Sequence, residues 1–73
     1  MTGPKNYKLI KKIGVRISVL RKVRGFSLEK FSEVSKISIQ NLEKYESGEK
    51  SMTIDELVMI ADILRIGAFQ FFL

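Results

Sequence analysis

Apolar residues recur at three- and four-residue spacing along most of the chain, and polar residues separate them. In residues 7–23 four apolar residues carry this pattern: Ile10, Ile13, Ile17 and Leu20. The spacing places their side chains on one side of a helix, so this segment is predicted to be an amphipathic helix. Gly25 follows where a left-handed C-terminal cap favours glycine. Gly14 interrupts the predicted helix at a cost of about 1 kcal/mol relative to alanine.

Two short helices are predicted next, each opened by a serine suited to cap a helix N-terminus. Ser27 precedes a helix with three apolar positions: Leu28, Phe31 and Val34. Residues 35–37 interrupt that helix. Ser38 opens the next one, whose expected inward residues are Leu42 and Tyr45. Gly48 then ends it.

A capping-box pattern opens the fourth predicted helix, because Thr53 is followed three residues later by Glu56. This helix is predicted to extend through Leu64, and Gly67 separates it from a final turn or short helix. No stretch shows the alternation of apolar and polar residues that is typical of a strand. The chain is therefore predicted to be all-α, with five helices in a single domain of residues 7–73.

The composition excludes several function classes. The 73 residues suit one domain, and they include no Cys and no His. Disulfides, zinc sites built on thiolates or imidazoles, and catalysis by Cys or His are thereby excluded. Asp55, Glu56 and Asp62 look like helix-cap and surface acids, so we expect neither an enzyme nor a bound metal or cofactor. No apolar run approaches the ~18 residues of a membrane span, and no secretion signal is recognised, so we expect a cytoplasmic protein.

The net charge of +5 is distributed unevenly. Residues 1–25 hold eight of the 13 basic residues and no acid, whereas residues 26–73 hold five basic and eight acidic residues. Residues 1–6 contain the only proline and are predicted to be a flexible basic arm. A basic arm and first helix beside a mildly acidic remainder indicate a polyanion partner, although a solvated charged face is the alternative. Membrane-surface binding is disfavoured because the core needs the first helix's apolar face.

The second and third predicted helices have the length and spacing of a helix-turn-helix. Residues 13–72 resemble the phage-repressor (Xre/Cro-like) helix-turn-helix family. The resemblance is carried by Ile13-Gly14, Arg16-Ile17, Leu20-Arg21, Gly25, Ser27, Phe31, Ile37-Ser38, Leu42, Tyr45-Glu46, Gly48, Leu57, Ile60-Ala61 and Leu64. It implies a repressor-like domain whose third helix, at about residues 38–47, is a recognition helix in the DNA major groove.

The resemblance further implies that the first residues of the recognition helix reach base edges. These residues are Ile39, Gln40 and Lys44, with Asn41 beside them. Gln40 has the donor and acceptor to pair with adenine N6 and N7, and Lys44 has donors for guanine O6 and N7. Ile39 is suited to pack on a thymine methyl group. The alternative interpretation is an ordinary solvated helix face.

Other residues are expected to position the protein on DNA or to stabilise it. Candidate phosphate contacts, which carry no sequence information, are Lys12, Arg16, Lys36, Ser38 and Lys50. The resemblance implies a structural ion pair between Arg21 and Glu46.

Three positions within the helix-turn-helix depart from the family pattern: Leu28 replaces a glutamine that contacts phosphate, Ser32 an alanine, and Lys36 a glycine. Lys36 is therefore expected to adopt a left-handed conformation at a cost of roughly 1–2 kcal/mol.

The fourth helix and the C-terminal residues hold more apolar side chains than one core-facing stripe requires. We predict a two-fold homodimer on a palindromic operator, with an interface formed by Met59, Ile63, Ile66, Phe69, Phe72 and Leu73. Phe71 is counted with the same surplus. The alternative is that the chain is an N-terminal fragment and this surface packs on a further domain.

Two functions are consistent with these patterns. The leading hypothesis is a dimeric, sequence-specific regulator of transcription that binds double-stranded DNA, of bacterial, phage or plasmid type. Small stand-alone members of the family resemble controller proteins of restriction–modification systems and compact phage repressors. The second hypothesis is an antitoxin or adaptor whose hydrophobic C-terminal face binds a protein, which Leu28 and the phenylalanine cluster favour.

Overall fold

The computed structural model of the chain describes residues 7–73. This part of the chain forms four α-helices and one 3-10 helix: α1 (Tyr7–Val23), α2 (Leu28–Ser35), α3 (Ile39–Ser47), α4 (Ile54–Leu64) and the 3-10 helix (Ala68–Phe72). The all-α prediction is confirmed for these residues, but the helix count differs from the five predicted. The predicted arm of residues 1–6 lies outside the described residues.

The last element is a 3-10 helix, and two of its side chains, three residues apart, face the core. Phe71 is fully buried, and Ala68, three residues earlier, is partly buried and packs against the core. A period of three residues aligns these two positions, which suits the three residues per turn of a 3-10 helix. Gly67 at its N-cap supplies no side-chain hydrogen bond, so nothing favours a longer helix.

Hydroxyl side chains begin the three later α-helices, as predicted. Ser27, Ser38 and Thr53 have extended backbones, and each side-chain oxygen accepts a hydrogen bond from the N–H three residues on. Thr53 and Glu56 form the complete capping box. A cap of this kind stabilises a helix by about 1 kcal/mol, which matters for helices as short as α2 and α3.

The core lies where all five elements meet. Its buried apolar residues are Ile13, Ile17, Phe31, Ile37, Leu42, Tyr45, Leu57, Ile60, Ala61, Leu64 and Phe71. Leu42 and Tyr45 face inward as predicted. Phe71 was assigned to the surplus of exposed apolar residues, and this was wrong because the 3-10 helix folds back and inserts it into the core.

Gly14 lies where α1 and α3 touch. A Cβ atom at this position would lie 2.3 Å from the backbone oxygen of Tyr45 and 2.8 Å from that of Glu46. No side chain fits there, so the helix-weakening glycine permits a backbone contact that packs α3 directly on α1.

Two non-glycine residues end helices in the left-handed conformation. Lys36 has φ 64° after α2, as its position in the helix-turn-helix predicted, and Arg65 has φ 60° after α4. The left-handed conformation of Arg65 was not predicted, because the sequence pattern indicated Gly67 as the residue that separates α4 from the last element. Gly67 instead has an ordinary extended backbone and precedes the 3-10 helix.

Candidate nucleic-acid interface

The turn between α2 and α3 is held by its own side chains. Ser32 Oγ donates a 2.6 Å hydrogen bond to the carbonyl of Ile37, and Ser35 Oγ accepts one of 3.2 Å from the Ile37 N–H. The Lys36 N–H bonds the carbonyl of Ser32 at 2.9 Å. Ser35 is only 2% exposed, so its bond is shielded from water. The two short helices therefore form one rigid unit.

An ion pair holds the C-terminal end of α3 from behind. Arg21 Nε lies 2.6 Å from Glu46 Oε2, and Arg21 Nη2 donates to Glu46 Oε1 at 3.1 Å. Arg21 Nη1 also donates to the carbonyl of Phe26 at 2.7 Å. The two side chains are 7% and 11% exposed. One guanidinium thus connects α1, the α1–α2 loop and α3, and the geometry is the bidentate one that arginine favours.

The opposite side of α3 is open to solvent. Gln40 and Lys44 are exposed and lie four residues apart, so their side chains share one side of the helix. Within residues 7–73 neither side chain has a hydrogen-bond or ion-pair partner. Ile39 is 38% exposed at the start of the same surface. Three of the four predicted base-contacting residues therefore form one continuous solvent-exposed surface.

Asn41, the fourth of these residues, is half-buried and has a partner. Lys50, in the loop after α3, donates from Nζ to Asn41 Oδ1 at 3.2 Å. The same ammonium lies 5.7 Å from the centre of the Tyr45 ring. This loop lysine is therefore tied to α3 at two places, a connection that sequence reasoning missed because Asn41 and Lys50 are nine residues apart.

Behind this contact, Tyr45 and Glu56 join α3 to α4. The Tyr45 hydroxyl lies 3.0 and 2.9 Å from the two carboxylate oxygens of Glu56 and donates to that carboxylate. Burial, with the hydrogen bond and charge of Glu56, raises the pKa of Tyr45. Burial acts to raise the pKa of Glu56, but bonds from Thr53 and Tyr45 and the charge of Lys50 outweigh it, and the net result is a lowered pKa.

The predicted phosphate contacts fall into two groups. Lys36, Ser38 and Lys50 are exposed around α3. Arg16 and Lys12 lie two residues either side of Gly14, which faces α3, and at 100° per residue they point to the far flank of α1. Arg16 Nη2 there donates to the main-chain oxygen of Leu73. The structure thus brings three of the five residues to α3.

Lys11 was not predicted, although it lies beside α3. A Cβ atom on Gly48, which ends α3, would be 3.0 Å from Lys11 Cα. The spacing of three residues between Lys11 and Gly14 is the signal that places both on the α3 side of α1. Charge alone did not distinguish Lys11 from Lys12.

The N-terminus of α3 differs in charge from those of α2 and α4. The first turn of α3 has no acidic residue, whereas α2 has Glu29 and α4 has Asp55 and Glu56. The partial positive charge of a helix N-terminus is therefore not offset at α3, and Lys36 adds a full charge beside it.

Among residues 7–73 no cluster of three or more acidic side chains is placed to hold a metal ion.

Three of the predicted dimer residues are exposed to solvent and three are partly buried. Phe69, Phe72 and Leu73 are 65%, 47% and 65% exposed. Met59, Ile63 and Ile66 are partly buried and pack against the core. α4 also exposes Ile54 and Val58, which the sequence analysis did not include.

The profile of the Cro/C1-type helix-turn-helix DNA-binding domain matches residues 16–68. The chain belongs to this family. Two uncharacterized HTH-type transcriptional regulators, from Rickettsia conorii and Rickettsia prowazekii, are each 35% identical to it over 60 residues. That alignment covers 82% of this chain but 48% and 46% of the relatives, so the chain spans about half their length.

Solved structures of other regulators have the same fold as this Cro/C1-type domain. The restriction–modification controller protein C.AhdI from Aeromonas hydrophila has a TM-score of 0.79 at 23% identity, covering 88% of this chain and 96% of that one. An HTH_3 family transcriptional regulator from Vibrio cholerae has a TM-score of 0.83 at 32% identity, covering 93% and 38%. The resemblance inferred from the sequence is therefore confirmed.

Within residues 7–73 the domain has no helix long and apolar enough to cross a bilayer.

Proposed function

We propose that the chain binds double-stranded DNA through α3, as the DNA-binding domain of a transcriptional regulator. The observation that carries this proposal is the solvent-exposed side of α3, where Gln40 and Lys44 present unpaired hydrogen-bonding groups. The opposite side of the helix is fixed by the buried Arg21–Glu46 pair. A rigid helix with unsatisfied polar groups on one side suits insertion into a groove lined by hydrogen-bonding base edges.

The side chains of α3 divide between base and phosphate contacts. Gln40 pairs with adenine, Lys44 with guanine and Ile39 with a thymine methyl group, while Asn41 contributes beside them. Lys36, Ser38 and Lys50 surround α3 and bind phosphates, which sets the depth and angle of the helix in the groove. Lys12 and Arg16 remain candidates for the flanking backbone, although Arg16 has a partner in Leu73.

The functional unit that we propose is a two-fold dimer. Its interface uses α4 and the C-terminal residues, with Met59, Ile63, Ile66, Phe69, Phe72 and Leu73 on each protomer. The exposure of three of these side chains supports it, because a small monomer rarely exposes such a patch. Two-fold symmetry would set the two α3 helices about one DNA turn, roughly 34 Å, apart on a palindromic operator.

The decisive experiment combines the selection of bound duplexes from a random pool with a mobility-shift measurement of affinity. Duplexes are selected from a random pool at low salt, and the bound consensus is compared between wild type and the double variant Gln40→Ala/Lys44→Glu. We expect the double variant to lose at least about 100-fold in affinity, because each bidentate base contact contributes about 1–3 kcal/mol. Both residues are exposed, so the melting temperature should not change.

A matched control separates this effect from net charge. Lys8→Glu makes the same charge reversal on an exposed position of α1, outside α3. We expect it to change affinity by no more than about threefold. If wild-type protein retards no duplex at low salt, or if both variants lose affinity equally, α3 does not read DNA.

Salt dependence provides an independent measurement. Lys36 and Lys50 beside α3, with Lys12 on α1, give three candidate phosphate-binding lysines in each protomer, and therefore six in a dimer. If each one neutralises a phosphate or an adjacent acceptor, the slope of log K against log salt is about −5. A slope near −2 or −3 would indicate a monomer on the DNA.

A second function has two observations in its favour. Leu28 occupies the position where the family usually has a phosphate-contacting glutamine, and Phe69, Phe72 and Leu73 remain exposed. These features suit a protein-interaction module, such as an antitoxin or adaptor, that binds its partner through the C-terminal face. Under that function the α3 double variant would retain partner binding, whereas Phe69→Ser with Phe72→Ser would abolish it.

A further inference from the structure

The bond between Lys50 and Asn41 lies at the edge of the surface that we assign to DNA. Lys50 Nζ is 3.2 Å from Asn41 Oδ1 and 5.7 Å from the centre of the Tyr45 ring. Glu56 accepts a hydrogen bond from the Tyr45 hydroxyl, and its negative charge attracts the Lys50 ammonium. An amide oxygen, an aromatic ring and a carboxylate thus hold one ammonium group in place, although the side chain starts from an exposed loop.

This contact fixes which way the Asn41 amide points. A lysine ammonium has three donors and no acceptor, so the amide atom that faces it is the oxygen. The NH2 group of Asn41 is therefore turned away from Lys50. Within residues 7–73 this NH2 group has no hydrogen-bond partner, and it remains available as a donor.

The orientation changes the chemistry of the neighbouring surface. Asn41 and Lys44 are three residues apart and are therefore neighbours on the helix. The Asn41 oxygen keeps a second lone pair, but it is turned towards Lys50, so the groups that Asn41 and Lys44 offer on their other sides are donors. In the major groove guanine offers two acceptors, N7 and O6, whereas adenine offers one acceptor and one donor, and cytosine a donor.

We infer that Lys50 is a positioning residue for base specificity: it makes the Asn41–Lys44 surface donor-only and so selects guanine over adenine at one position of each half-site. The inference rests on the proposed DNA binding through α3. It gives Lys50 a role beyond a phosphate contact, because a phosphate contact alone would carry no sequence preference.

The test replaces Lys50 with methionine, which keeps a long unbranched side chain and removes the charge. The freed Asn41 amide then has both a donor and an acceptor to offer, which is the pairing that adenine accepts. In selection from a random duplex pool, wild type should enrich guanine at one half-site position. Lys50→Met should enrich guanine and adenine about equally there, and affinity for the adenine site relative to the guanine site should rise about tenfold.

Lys30→Met is the matched control. Lys30 is an exposed lysine on α2 that pairs with Glu33 at 3.4 Å, so the substitution makes the same change of charge and shape elsewhere. It should leave the base preference unchanged.

Lys50→Glu should reverse the orientation of the Asn41 amide, because a carboxylate would accept a hydrogen bond from the Asn41 NH2 group and turn the oxygen outward. The preferred base should then move towards adenine or cytosine.

A measurement without DNA tests the contact itself. The side-chain NH2 resonances of Asn41 in the free protein should shift in Lys50→Met and stay in place in Lys30→Met. If wild-type protein binds no duplex, the proposed function and this inference both fail. If Lys50→Met binds duplexes with the guanine preference intact and only a uniform loss of affinity, the inference fails alone. Unchanged Asn41 resonances in Lys50→Met would also overturn it.

Discussion

The α2–α3 unit and the C-terminal segment, residues 66–73, are built in opposite ways. In the α2–α3 unit, serine hydroxyls form hydrogen bonds with backbone groups of the turn, and Glu46 forms an ion pair with Arg21. The outer side of α3 carries polar side chains. In the C-terminal segment Phe71 is the one fully buried side chain, Ile66 and Ala68 are partly buried, and Phe69, Phe72 and Leu73 remain in solvent. Fixed polar groups suit the reading of hydrogen-bonding edges, whereas exposed apolar groups suit association with a partner.

The largest expected effect is on the rigid side of this comparison. Glu46→Ala leaves the buried Arg21 guanidinium with only the Phe26 carbonyl, and breaking such a pair costs about 3–5 kcal/mol. Thermal and urea unfolding should both show the loss, and a melting temperature equal to that of wild type would contradict the structural role of the pair. Glu43→Ala, on an exposed position of the same helix, is the control and should change stability little.

Two neighbouring phenylalanines divide the C-terminal segment into an anchor and a contact surface. Phe71→Ala removes a fully buried ring and should cost about 3–5 kcal/mol of unfolding free energy. Phe72→Ala removes a ring that is 47% exposed and should cost less than about 1 kcal/mol in the monomer. Under the dimer proposal, sedimentation should instead show Phe72→Ala shifted from dimer to monomer. Equal destabilisation by both substitutions would contradict this division.

A smaller effect on stability is expected at the two left-handed residues, Lys36 and Arg65, and only one of them should also affect DNA binding. Lys36→Gly and Arg65→Gly each relieve a left-handed backbone, and we expect each to stabilise the fold by about 0.5–1 kcal/mol after the entropy of glycine in the unfolded chain is included. Only Lys36→Gly removes a charge beside α3, so only this variant should also bind DNA more weakly. Mobility shifts and unfolding curves on the same two proteins check both expectations.

The smallest effect is a dependence of stability on pH at the α3–α4 junction. The pKa of Glu56 is lowered from its usual 4.5, so this carboxylate stabilises the folded state above that value. Its contribution is lost as the pH falls through the usual value and then through the lowered folded value. Glu56→Gln should therefore show a weaker loss of unfolding free energy between about pH 7 and about pH 3 than wild type. An identical pH dependence in both proteins would exclude this role.

Much of the fold followed from local patterns in the sequence. The helix starts were predictable because Ser27, Ser38 and Thr53 act on N–H groups only three residues away. Lys36 was predictable because the helix-turn-helix requires a left-handed residue at that point. Arg65 and Phe71 were not, because their conformations depend on how the chain turns back after α4, which three-dimensional packing decides.

The candidate site was predictable to a similar degree. Gln40 and Lys44 lie on one side of α3 because helical periodicity alone determines it. The Lys50–Asn41 contact and the proximity of Lys11 to Gly48 join residues that are distant in the sequence. No local spacing indicates such contacts, so they required the structure.

Tyr45 makes the α3–α4 junction observable without any label. The chain has two tyrosines and no tryptophan, and the other tyrosine, Tyr7, is 69% exposed. Tyr45 is 3% exposed and its hydroxyl bonds a carboxylate, an arrangement that quenches tyrosine emission. Intrinsic fluorescence therefore contains a component that changes when Glu56 or Lys50 moves. A titration with oligonucleotide, followed at the tyrosine emission band, would therefore report on α3 and on the DNA binding that we propose for it.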